Sequence, residues 1–160
     1  VAFATHGLLP REVRGLDEPG LVFTPPQNAS PQDDGVLAAS EAATLSLSAD
    51  WLILSACNTA AADGSAAGDS LSGLARAFLY AGARALLVSH WRVRDDVTAV
   101  LTVETLRNRD GGSRAQSLQH AMHAVRTGNL SDGSRLPGWS PGWAHPSAWA
   151  PFVVVSDQDQ

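Results

Sequence analysis

A mostly parallel α/β sheet covered by helices on both faces is the fold this sequence predicts, and three observations predict it. Five short apolar runs stand at Val1–Thr5, Leu21–Thr24, Trp51–Ala56, Ala85–Ser89 and Phe152–Ser156. They are continuous rather than alternating, as strands are when both faces of a sheet are buried. Helical periodicities lie between them, and strands alternating with helices imply a doubly wound arrangement. At 160 residues, 44% apolar and 17% charged, the chain suits a single domain over 1–160 with one sizeable core.

The elements follow in order. Val1–Thr5 opens the chain inside a strand with no turn or cap before it, and a parallel strand needs neighbours for its backbone groups. The expectation is therefore the C-terminal part of a longer domain, with further strands ahead of Val1. Leu8–Gly20 and the proline-bearing Thr24–Gly35 read as loops, and a short helix is expected from Ser40 to about Leu47. Leu71, Leu74, Ala75, Phe78 and Leu79 recur at helical spacing, with Asp69 as N-cap and Gly82 as the stop. A helix opening at Asp95 or Asp96 carries Val97, Val100 and Leu101 towards Arg109, with Asp95 in the cap position. Another, capped by Ser113, carries Leu118, Ala121, Met122 and Val125 and stops at Gly128. Leu130–Pro151, rich in Gly, Ser, Trp and Pro, reads as loop.

Composition excludes several functions. The formal charge of −5 leaves no basic footprint for nucleic acid. All 11 basic residues are Arg, so no Lys exists for a P-loop or a Schiff base. Cys57 is the single cysteine, which removes an internal disulfide and a Cys-rich zinc site. No apolar run approaches membrane-spanning length and no signal-peptide pattern begins the chain, so no membrane partner and a cytoplasmic location are expected.

Chemistry is sought where strands deliver their ends, because open α/β sheets bind ligands beyond the carboxyl ends of strands. The first strand delivers His6 and Gly7, the Trp51–Ala56 strand delivers Cys57, and the Ala85–Ser89 strand delivers His90 and Trp91. A nucleophilic thiol needs a base, which His6 supplies, and N–H groups for an oxyanion, which Gly7 and Cys57 supply. The competing reading is that Cys57 is a small buried hydrophobe. His6 precedes Cys57 by 51 residues, the chain order and spacing of caspases rather than of papain-like enzymes.

Ala4-Thr5-His6-Gly7 and Leu54-Ser55-Ala56-Cys57-Asn58-Thr59-Ala60 resemble the CHAT domain, a caspase-like module usually found beside tetratricopeptide repeats. Gly68-Asp69-Ser70-Leu71, Leu74-Ala75-Arg76-Ala77-Phe78, Ala81-Gly82-Ala83, Trp91-Arg92-Val93-Arg94-Asp95 with Thr98, and Trp149 to Val155 extend the likeness along nearly the whole chain. The resemblance implies a caspase-like fold and a cysteine endopeptidase with a His6/Cys57 dyad. It also implies a protein or peptide substrate, an upstream tetratricopeptide-repeat region, and no cofactor or metal. It carries a substrate-pocket role to Ser55, two residues before the thiol on the same strand face, with Trp91 and Asp95 completing the wall. The alternatives are a catalytically silent caspase-like adaptor and a non-proteolytic thiol acyltransferase.

Three features carry rival readings. Gly68-Asp69-Ser70-Leu71 spells the signature of a serine hydrolase family, but it opens a helix and no Asp-x-x-His surrounds His145, so the cap reading is preferred. His120 and His123 share a helical face at i, i+3 without a third ligand, and read as a solvated face. His90 reads as a pocket-wall residue.

Overall fold

The structure, a computed structural model, describes residues 1–30, 33–54, 68–91, 93–108 and 112–156. Its strands are β1 (Ala2–Phe3), β2 (Gly7–Leu8), β3 (Gly20–Val22), β4 (Val36–Ala38), β5 (Leu52–Leu54), β6 (Ala85–Ser89) and β7 (Phe152–Ser156). Its helices are α1 (Ala39–Thr44), α2 (Gly68–Tyr80), α3 (Asp95–Arg107), α4 (Arg114–Thr127) and α5 (Pro146–Trp149), with a 3-10 turn at Pro141–Ala144. The architecture is mixed α/β, with a mostly parallel four-stranded sheet whose strands alternate with helices along the chain.

The chain divides into two compact units. The first, residues 1–91 with the end of β7, contains β1, β5 and β6 of the sheet whose strand order is β1-β5-β6-β7. β1 pairs with β5 in parallel, Phe3 opposite Leu54, and β5 pairs with β6 in parallel, Leu54 opposite Val88. Every residue of β6 is buried, which is why its sequence is an unbroken apolar run closed by Ser89. Burial of a Leu such as Leu86 or Leu87 contributes about 1.5–3 kcal/mol each. Phe78 of α2 stacks on Phe3, ring centroids 5.4 Å apart, and Phe23 meets Phe3 in an edge geometry at 5.9 Å.

The same unit holds a second sheet, antiparallel, in the order β2-β3-β4. This corrects the expectation that Leu21–Thr24 joins the parallel sheet. Its continuous apolar character comes from Leu21, fully buried within the small sheet. The two-residue β2 and three-residue β4 carry too little pattern to be read as strands. The expected helix at Ser40–Leu47 spans Ala39–Thr44, and Asp69 lies inside the first turn of α2 rather than at its cap.

The second unit consists of the described residues from Val93 to Val154. α3 packs on α4, and the two helices bury Val97, Leu101 and Thr105 on the one and Ser117, Leu118, Ala121 and Val125 on the other. Ser113 caps α4 as expected, its hydroxyl accepting from the Gln116 amide while Gln116 returns a bond to the Ser113 amide. Gly128 ends the helix at φ +73°, where a Cβ would stand 2.8 Å from the Trp139 ring. Leu130–Pro151 is not wholly loop, since it folds into the 3-10 turn and α5 with Trp143 buried. Ser113→Ala is expected to destabilise this unit by about 1 kcal/mol, read as a lower urea midpoint at unchanged slope.

Candidate active site

Sheet register decides what can meet. Phe3, Leu54 and Val88 lie side by side on three adjacent parallel strands. Three residues beyond each, the chain carries His6, Cys57 and Trp91. The strand that leads to Cys57 therefore runs between the strands that lead to His6 and to His90 and Trp91, and all three exit at the same edge. Ser55 and Cys57 themselves lie outside the described residues.

The His6 segment is held from the other sheet. The Val22 amide donates to the His6 carbonyl at 2.9 Å, and the Thr5 hydroxyl donates to the Val22 carbonyl. The His6 ring is left exposed while Gly7 is buried. Antiparallel alternation turns neighbouring residues to opposite sides. Since His6 faces β3, the Gly7 amide points away from β3, with its N–H free of the ladder. An N–H in that position suits an oxyanion, and glycine permits the close approach.

On the β6 side, Ser89 is buried, His90 is exposed and Trp91 is 43% exposed. A large apolar side chain left open beside a strand end suits contact with a substrate side chain. His120 and His123 are exposed on α4, as read from sequence, and His145 caps α5 by accepting from the Ser147 amide at 3.2 Å. Among the described residues, no cluster of three or more His, Cys, Asp or Glu is placed to hold a metal ion.

Asp95 belongs to the second unit. The N-cap of α3 is Arg94, so Asp95 is the first helical residue and not the cap. It is exposed, and its carboxylate makes no hydrogen bond or ion pair among the described residues. The engaged carboxylate is its neighbour Asp96, which sequence reasoning did not single out. Arg94 forks onto Asp96, Nε to Oδ1 at 3.0 Å and Nη2 to Oδ2 at 2.7 Å. The Arg-x-Asp spacing ahead of a helix is the sequence signal for this fork, and the first turn's free amides favour the charge.

These bonds hold the Asp96 carboxyl at a pKa of about 2, chiefly through the hydrogen bonds from Arg94. Partial desolvation opposes the shift, and the Val97 amide, the Arg94 charge and the Trp143 indole add to it. The Trp143 N–H is buried without a hydrogen bond of normal length among the described residues, in keeping with its small share. The folded-state value lies below the ordinary 3.8, so Asp96 stabilises the fold above about pH 4 and loses that effect as pH falls through about 2. Asp96→Asn is expected to flatten the acid side of the stability-against-pH curve over that interval. Because the pair is exposed, the difference shrinks in high salt. Urea midpoints for both proteins between pH 2 and 5 (about the range of carboxylate titration) check this.

The CHAT domain family profile matches residues 1–157. No curated protein matches the chain. No described helix is long and apolar enough to cross a membrane.

Proposed function

Because this chain belongs to the CHAT domain family, whose caspase-like fold is often linked to peptidase activity, we propose that it is a cysteine endopeptidase acting through a His6/Cys57 dyad. The Cys57 thiolate attacks the carbonyl carbon of a peptide bond. His6 takes up the thiol proton and returns it to the leaving amine. The N–H groups of Gly7 and Cys57 bind the oxyanion of the tetrahedral intermediate. Water then attacks the acyl-enzyme with His6 as base, which frees the acid and restores the thiol.

The reading is supported above all by the in-register pairing of β1 and β5, with His6 and Cys57 each three residues past the Phe3–Leu54 pair. The exposed His6 ring and the outward Gly7 amide are compatible with it. Thiol alkylation tests it directly. An active dyad makes Cys57 react faster than free cysteine near neutral pH, with a rate that falls in His6→Ala. A rate slower than free cysteine and indifferent to His6 fits the silent adaptor instead.

The substrate pocket is proposed to consist of Ser55, Trp91 and Asp95. Ser55 is small and neutral and selects no charge. Any preference for Arg or Lys before the cut then rests on Asp95, whose carboxylate is exposed and has no partner among the described residues. Asp95→Asn is expected to reduce kcat/KM for basic residues by at least about tenfold relative to apolar ones, profiled on a peptide library. An unchanged preference would leave Asp95 serving only the start of α3.

A further inference from the structure

The β2-β3-β4 sheet carries complementary surfaces at its two ends. Where β3 leaves towards β4, the hairpin and α1 enclose an open groove of about 430 Å3. Phe23, Leu37 and Leu45 make it apolar, Asp33 and Glu41 add two carboxylates, and no basic residue lines it among the described residues. Phe23 and Leu45 remain 39% and 37% exposed, unusual for side chains of that size sharing one depression.

The groove does not invite a further strand. The Phe23 amide donates to the Gly35 carbonyl, which fixes the alternation so that the Val36 and Ala38 amides face outward on β4. The Asp34 carboxylate already accepts from Val36 at 2.8 Å, and Glu41 accepts from Ala38 at 2.9 Å. A docking polypeptide engages chiefly through side chains, because the outward donors of this edge are already taken.

At the opposite end, the loop between β2 and β3 is folded on itself. The Arg11 amide donates to Leu16 at 2.7 Å, Glu12 to Leu9 at 3.1 Å and Leu16 to Val13 at 3.1 Å. The Glu12 carboxylate is turned back onto the Leu9 amide at 2.9 Å. Arg11 is the one described non-glycine residue in the left-handed region, at φ +69°. Such a conformation persists where its surroundings over-determine it, and it concentrates at working surfaces. The outcome is a preset tip on which Val13, 45% exposed, stands between Arg11 and Arg14. Both guanidinium groups are exposed and without a hydrogen bond or ion pair among the described residues.

An apolar side chain between two cations complements an apolar groove with two carboxylates. The two surfaces lie at opposite ends of one small sheet and cannot meet within a single chain. We infer that the groove receives the Leu9–Leu16 loop of a second copy of this chain, giving head-to-tail self-association. Such an interface is heterologous, so it propagates into open chains or closes into rings. Its charge pairing makes it weaken as salt rises.

Sedimentation velocity on the chain tests this over a wide concentration range at low and high salt. The expected result is a weight-average mass that rises with concentration and falls with salt. Arg14→Asp and Asp33→Arg are each expected to weaken association by roughly tenfold or more, since each sets like charges against one another. An equimolar mixture of the two variants is expected to associate again, because it offers the native loop of one variant to the native groove of the other. A monomer at every concentration overturns the inference. So does association that both variants leave unchanged, or a mixture no stronger than either variant alone.

Discussion

Cys57→Ala and His6→Ala are each expected to abolish peptide cleavage, lowering the rate by at least roughly a thousandfold, with the fold intact. The double variant is expected to be no worse than either single one. A nucleophile and its base act as one unit, so removing the second partner removes nothing further. The changes are conservative structurally. The His6 ring is exposed, and its backbone carbonyl, not its ring, accepts the Val22 amide that ties it to β3. Circular dichroism and a urea transition superimposable on wild type establish the intact fold, and cleavage of a peptide library gives the activity. Cleavage by Cys57→Ala above background would assign the chemistry to another residue. Gly7→Pro, which deletes the outward amide, is a sterner backbone change and a poorer probe, because it also fixes φ and adds a ring at a buried position.

Gly82→Ala is expected to destabilise the first unit by about 3 kcal/mol or more. Gly82 adopts φ +105°, which an L side chain rarely tolerates, and an added Cβ would run into the Leu47 carbonyl oxygen. Neither relief is cheap. The obstacle is backbone, and the Leu47 amide is itself held by the Ala81 carbonyl at 2.7 Å, so the two segments cannot simply part. The loss spreads, because the turn at Ala81–Gly82 feeds directly into β6, the fully buried strand. A urea or thermal midpoint that falls steeply, with a smaller fall for a change at the open Gly133, checks the assignment. Gly133 shares the positive φ, +82°, but nothing lies within 4 Å of its would-be Cβ. The comparison separates backbone strain from collision.

Local physical chemistry on the sequence alone determined the two ends of α4 and the central strands. Ser113 with Gln116 and Gly128 marked α4 because capping hydroxyls and left-handed glycines are local requirements. Ala85–Ser89 was legible as a strand because a continuous apolar run follows from burial on both faces, and Phe152–Ser156, buried at Phe152 and half-buried beyond it, was legible by the same apolar run. The chain order of His6 and Cys57, with the motifs around them, was enough to indicate the family. Tertiary structure alone decided the rest. Leu21–Thr24 has the composition of a parallel core strand, yet Gly20–Val22 pairs antiparallel between β2 and β4. Strand partners are non-local, and an apolar run states that it is buried without stating beside what. Asp95 and Asp96 are alike in sequence and both exposed, but a fork of hydrogen bonds from Arg94 engages only Asp96 among the described residues. The outward turn of the Gly7 amide follows from which residue of β2 faces β3, a matter of register that no single-strand pattern contains.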